Sequence, residues 1–220
     1  MVFMIGSLAW FFSVLLLLQS SLTTASTSSI SIPEDVPLPD TRHVNGVELR
    51  RNGHGIRSIT FFGMDIQVYV AGFYTETPLL SEEDVHACHN NDGDTLMQLD
   101  FTFLRGVSKG RVISAWQKQL DHSVSFQYEG YEADRDLFVE KLSSPISYLG
   151  TQTVQLIGDN TVIVDQGVEK GIIPGKNFQI AFLSMWFGEN AVAEDLKSDL
   201  LSGAMYHHDN HHVHLSAAVA

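Results

Sequence analysis

Polar and apolar positions along the chain switch between alternation every second residue and stripes every third or fourth. Ile56–Phe61 and Asp65–Tyr74 are rich in β-branched and aromatic side chains and read as two strands. Val47–Leu49 reads as a shorter strand ahead of a loop at Gly53 and Gly55. Gly63 marks a hairpin turn between the two longer strands. With a three-residue loop, 62–64, Arg57 stands opposite Tyr69 on one sheet face; a two-residue loop would break that pairing. Leu96–Leu104 alternates, with Leu99, Phe101 and Phe103 on one face. Gly158-Asp159-Asn160 divides Thr151–Ile157 from Thr161–Asp165, which predicts a tight hairpin.

The helical period appears elsewhere. Ser108 stands at the N-cap position of a helix running to about Asp121, with Val112, Ala115, Trp116 and Gln119 on one side. Asp134–Leu142 reads as a second helix, stopped at Pro145. After a turn at Gly171–Gly175, Phe178, Ala181, Phe182, Met185 and Trp186 form the apolar stripe of a buried helix, Phe178–Phe187. Glu194–Leu201 is amphipathic through Leu196, Leu200 and Leu201, with Gly203 near its C-terminal cap. The order predicts an α+β fold, a sheet with helices packed to one side.

Both ends differ from this middle. Residues 1–26 carry no charge, and a near-continuous apolar run from Val2 to Leu18 ends in small polar residues and Ala25. Residues 1–25 therefore read as a signal peptide for the secretory route, with an uncleaved N-terminal anchor as the alternative. Residues 26–43, with three prolines in Pro33–Asp40, read as an extended linker. The folded domain is expected over 44–203, followed by a His-rich tail over 204–220.

Composition narrows the function classes. A 44% hydrophobic content supplies a core, and 26 acidic against 13 basic residues give a formal charge of −13. That surplus speaks against a nucleic-acid partner, since a phosphate backbone requires a basic face. The single Cys excludes an internal disulfide.

Four constellations contain reactive residue types. Arg57 with Tyr69 offers a guanidinium fork and a hydroxyl donor suited to a carboxylate; the competing reading is a solvated sheet-face pair. His207, His208, His211, His212 and His214 have chelating residue types without fixed geometry, and a polar tail is the simpler reading. His86, Cys88 and His89 with Asp92 and Asp94 lack a recognised ligand spacing and read as a polar loop with a free thiol. Gly106-Val107-Ser108-Lys109-Gly110 matches a nucleophile-elbow pattern, but the chain lacks the alternating strand and helix order such a site requires, so a helix cap is favoured. No metal site and no cofactor are expected.

The runs Asn52-Gly53-His54-Gly55-Ile56-Arg57, Phe62-Gly63 and Val68-Tyr69-Val70-Ala71-Gly72-Phe73-Tyr74 resemble the opening hairpin of the chalcone isomerase-like family. Phe103–Ser108, Val168–Phe178 and Leu183–Val192 resemble its later motifs in the same order. The resemblance spans 44–203 and implies an open-faced β-sandwich, an antiparallel sheet with a layer of helices over one face and a cleft between them. In the plant enzymes, an Arg and a Thr on the hairpin, a Tyr and an Asn on the next helix and a late Thr or Ser promote ring closure. Here the Arg falls on Arg57 and the hairpin Thr on Tyr69. The helix pair falls near Ser108 and Ala115, while residues 101–122 contain neither Tyr nor Asn. The late hydroxyl falls on Met185, beside Ser184. Losing an oxyanion donor costs about 3–4 kcal/mol of transition-state stabilisation, so no catalytic residue is assigned. Arg57 with Tyr69 is similar to the non-catalytic, fatty-acid-binding branch. The resemblance thus implies that Arg57, Tyr69, Ser184 and Met185 bind an amphipathic carboxylate, with Phe61, Phe182 and Met185 around its tail. An isomerase or intramolecular lyase acting on an enone is the alternative, and membrane contact is expected only through an uncleaved N-terminus.

Overall fold

The computed structural model describes residues 31–90, 96–123 and 128–203. Seven strands form one antiparallel meander in chain order: β1 (Thr41–Val44), β2 (Val47–Phe61), β3 (Met64–Thr75), β4 (Leu96–Phe103), β5 (Thr151–Ile157), β6 (Asn160–Asp165) and β7 (Val168–Pro174). Five helices accompany them: α1 (Glu82–Asn90), α2 (Lys109–Ser123), α3 (Tyr131–Lys141), α4 (Lys176–Phe187) and α5 (Glu194–Leu200). The helices bury their apolar stripes on one sheet face, where Ala71, Phe73, Leu99, Phe101 and Val154 meet Trp116, Phe138, Phe178, Phe182 and Trp186. Each of those large side chains contributes about 1.5–3 kcal/mol relative to exposure. The expected α+β layering is therefore present.

The opposite face carries a smaller cluster, Val44, Leu49, Tyr74 and Leu96, and a polar network around Asp100. Its carboxylate accepts from Arg42 Nε at 2.7 Å, Gln98 Nε2 at 2.8 Å and Thr153 Oγ1 at 2.8 Å. A buried carboxylate needs that saturation.

Four local readings change. β2 is one strand through Gly53 and Gly55, with no loop there. Both glycines pass beneath α5: a Cβ at Gly53 would collide with the carbonyl oxygens of Asp199 and Leu200, and one at Gly55 would lie 2.8 Å from Leu196 Cδ1. The glycines permit close approach of a helix, a role that composition alone does not distinguish from turn-making. Gly171 lies inside β7 in place of the expected turn. The segment around His86 and His89 is helix α1, opened by Ser81 and Asp84: the Asp84 N–H donates to Ser81 Oγ at 3.1 Å, while Asp84 Oδ2 accepts from the Ser81 N–H at 3.0 Å. β1 starts at Thr41, inside the stretch expected as linker, because Thr41–Val44 finds pairing partners at Val47–Arg50.

Two β-bulges set which way side chains point. At Asn52 the register steps from Arg51 opposite Tyr74 to Gly53 opposite Phe73. The extra residue inverts the alternation, so Leu49 faces the smaller cluster while Gly53, Gly55 and Arg57 face the helices. The Asn52 side chain is fully buried and fully paired: Nδ2 donates to the Leu79 and Leu200 carbonyls at 2.7 and 2.9 Å, and Oδ1 accepts from the Leu79 N–H at 2.9 Å.

Asn52→Leu keeps the volume but leaves three buried backbone groups unpaired, and is expected to cost about 3 kcal/mol in urea unfolding. A loss under about 1 kcal/mol would show that the β2–α5 contact does not depend on this side chain. A second expectation concerns acid. His89 Nε2 lies 2.9 Å from Gln179 Oε1, and its buried Nδ1 has no partner. Burial, with Lys176 and His86 nearby, holds its pKa below the ordinary 6.5. The unfolded chain therefore binds the extra proton first, and stability falls as pH drops below about 6.5. The thermal midpoint of the wild type should decline between pH 7 and 5 more steeply than that of His89→Leu; parallel curves would remove His89 as the cause.

Candidate functional site

Beyond the α5 contact, the helix-facing row of β2 continues to Arg57, directly opposite Tyr69 on β3. Tyr69 is in turn opposite Phe103 on β4. The Arg57–Tyr69 rung is the one expected, reached by a different route. The hairpin has a two-residue turn, Phe62-Gly63, and a second bulge between Arg57 and Ser58 supplies the missing step in register. Both turn residues have positive φ, 49° and 74°, the pattern of a type I′ turn, whose twist suits a hairpin.

Tyr69 is half-buried in aromatic surroundings, with ring centroids 5.5 Å from Phe101, 5.6 Å from Phe103 and 6.3 Å from Trp186. Desolvation there raises the phenol pKa well above 10, against the opposing influence of Arg57. The phenol is therefore a neutral hydrogen-bond donor at physiological pH. Among the described residues no group hydrogen bonds to its hydroxyl. The Arg57 guanidinium, half-buried, donates to the Ser58 carbonyl and has no carboxylate partner among the described residues. A cation and a neutral donor thus share one rung with capacity unused, a combination that suits an anion carrying two oxygens.

The other expected residues are placed less directly. Met185 is completely buried in the core, and Ser184 Oγ donates to the Ala181 carbonyl at 2.7 Å within its own helix. The side chain of α4 that touches Tyr69 is Trp186. Its indole Nε1 is buried without a partner, and its ring also packs on Phe101 at 5.0 Å and Trp116 at 6.3 Å. Sequence periodicity placed Trp186 on the buried stripe without marking it as a site wall; its nitrogen was the available signal. Phe182 is fully buried, whereas Phe61 is 56% exposed at the hairpin end and lines no interior surface. Ser108 and Ala115 are exposed, and α2 turns Val112 and Trp116 inward.

The remaining constellations separate. Ser108 lies before α2 and His122 near its far end, roughly 20 Å apart at 1.5 Å per residue. His86 faces Glu82 at 3.6 Å while His89 is turned inward to Gln179. Asp92, Asp94 and the His-rich tail lie outside the described residues.

A family model described as chalcone isomerase-like matches residues 33–202. Among solved structures, a fatty-acid binding protein of Arabidopsis thaliana matches with a TM-score of 0.59 at 15% sequence identity, covering 73% of this chain and 95% of that one. At that identity the likeness is one of fold. No curated protein matches.

Tyr69 should resist ionisation. With tyrosine labelled at the ring carbon bearing oxygen, the NMR signal lost in Tyr69→Phe is expected not to titrate up to about pH 11, one unit past the free value. A midpoint near 10 would mean that the phenol is hydrated.

Proposed function

We propose that this chain, which belongs to the chalcone isomerase-like family, binds an amphipathic carboxylate such as a fatty acid, its head group held by Arg57 and Tyr69. The observation that carries this reading is the pairing of the two across one rung, with neither side chain engaged by a described carboxylate. Arg57 supplies charge and a fork of N–H donors, and Tyr69 adds an O–H that burial keeps protonated. Such charge-assisted bonds contribute about 1.5–3 kcal/mol each where water is partly excluded. Phe101, Phe103 and Trp186 pack around the Tyr69 ring and are themselves buried, so they exclude water from one side of the rung, in the common pattern of an apolar site with few polar groups. The solved fatty-acid binding protein of the same fold supports the ligand class.

Titration of the full chain with oleate by calorimetry tests the reading. Arg57→Ala is expected to weaken binding about 10- to 100-fold, and Tyr69→Phe several-fold. Arg57→Lys should recover part of the loss, because it restores charge without the fork. Wild-type affinity in Arg57→Ala would overturn the clamp, and no heat or displacement with wild type would overturn the ligand class.

A further inference from the structure

The β2–β3 hairpin runs past the sheet that supports it. β4 pairs with β3 only from Tyr69 onward, and β1 pairs with β2 only at Val47–Arg50. Residues 58–67 therefore form a two-stranded ribbon extending about 13 Å at 3.4 Å per residue. Its two faces differ. Ile59 pairs with Ile66 and Phe61 with Met64 on one face; Ser58 pairs with Gln67 and Thr60 with Asp65 on the other, where Thr60 Oγ1 donates to Asp65 Oδ1 at 2.7 Å. Phe62 occupies the turn, 89% exposed, its ring 4.5 Å from that of Phe61. Ile59, Phe61 and Met64 are 44%, 56% and 62% exposed. No residue from Ile59 to Met64 is charged.

Water does not favour this arrangement. An isolated two-stranded ribbon is marginally stable, and Phe62 adopts a positive φ that Asn or Gly tolerates better. A turn selected for stability would carry Asn at that position. Phe62 puts a large apolar ring where none of the described residues covers it.

We propose that the end of this ribbon inserts into the interfacial region of an uncharged phospholipid bilayer. A ligand tail lying on the apolar face would leave the Phe62 turn bare, and a few side chains fall well short of the about 800 Å² per partner of a stable protein interface. A bilayer surface envelops both the face and the turn. The choice of an uncharged surface follows from the formal charge of −13, which anionic head groups would repel. A two-stranded ribbon leaves backbone N–H and C=O groups unpaired along both edges, which the hydrocarbon core does not tolerate, so the ribbon rests at the surface. Insertion brings the Arg57–Tyr69 rung, two residues behind Ile59 on β2, to the lipid boundary from which an amphiphile would arrive. The docking surface does not depend on that ligand.

A spin label on Phe62→Cys in a Cys88→Ser background of the full chain tests insertion with phosphatidylcholine vesicles. The label is expected to become accessible to oxygen and protected from a water-soluble nickel complex when vesicles are added. In fluorescence-based partitioning, Phe62→Asn, whose turn is at least as stable, should bind these vesicles at least tenfold more weakly with an unchanged thermal midpoint and unchanged oleate affinity. Replacing half the lipid with phosphatidylserine should weaken wild-type binding. A label that stays water-exposed on vesicle-bound protein, or that broadens through label–label coupling without lipid, would overturn the proposal, the second outcome indicating a pair of chains. Loss of oleate binding in Arg57→Ala with insertion retained would leave docking intact, so the two readings fail separately.

Discussion

The helix α5 lies directly on the backbone of β2, and the site geometry depends on that contact. Helices pack on sheets through side chains, so a helix end resting on strand backbone requires two adjacent positions on one face to carry none. Gly53 and Gly55 meet that requirement, with the Asp199 and Leu200 carbonyls above Gly53 and Leu196 against Gly55. Two glycines in a strand cost conformational entropy. The cost is offset by the buried leucines of α5 and by Asn52, which receives the Leu79 N–H and caps the Leu79 and Leu200 carbonyls. Asn52 is also the bulge that points Gly53, Gly55 and Arg57 toward the helices. The run Asn52-Gly53-His54-Gly55-Ile56-Arg57 is therefore one mechanical unit: a reversal of alternation, a bare platform for a helix, and a cation two residues beyond it.

This explains which parts of the fold were legible in the sequence. Alternation exposed the strands around Phe73, Phe101 and Val154, and the stripe Phe178, Phe182, Met185 and Trp186 exposed α4, because burial against one layer imposes a period. Gly53 and Gly55 misled, since a glycine that admits a neighbouring backbone carries the same letter as one that makes a turn. β7 was hidden for a related reason: Gly171 and Pro174 punctuate a strand at the sheet edge, where missing side chains and a missing N–H are tolerated. α1 has a weak apolar face, with Val85 and His89 buried, so its polar composition masked its period.

The site was legible in part. The pairing of Arg57 with Tyr69 followed from hairpin register and its reading as a clamp from the family resemblance, although the register came from a two-residue turn and a compensating bulge, which no loop-length argument distinguishes from a three-residue turn without a bulge. Trp186 was missed as a wall of the site because a stripe position says that a side chain is inside without saying which neighbour it meets. Phe61 was placed around the ligand tail by the family resemblance, whereas it stands 56% exposed at the end of the β2–β3 hairpin, past the last pairing of β3 with β4.

Along the helix-facing row of β2 the residues are glycine, glycine, arginine, isoleucine and phenylalanine at positions 53, 55, 57, 59 and 61. Each type suits what stands opposite. The backbone of α5 covers the glycines; β4 and α4 supply an aromatic wall beside Tyr69; past the last β4 pairing the described residues leave Ile59 and Phe61 exposed. A guanidinium with no carboxylate partner among the described residues, at the boundary of a core, would ordinarily be disfavoured. Here it stands between a packed interior and an apolar overhang, the arrangement that the proposed amphipathic carboxylate would require. The order along one strand face thus sets the polarity of the whole site: interior first, cation at the boundary, exposed apolar surface last.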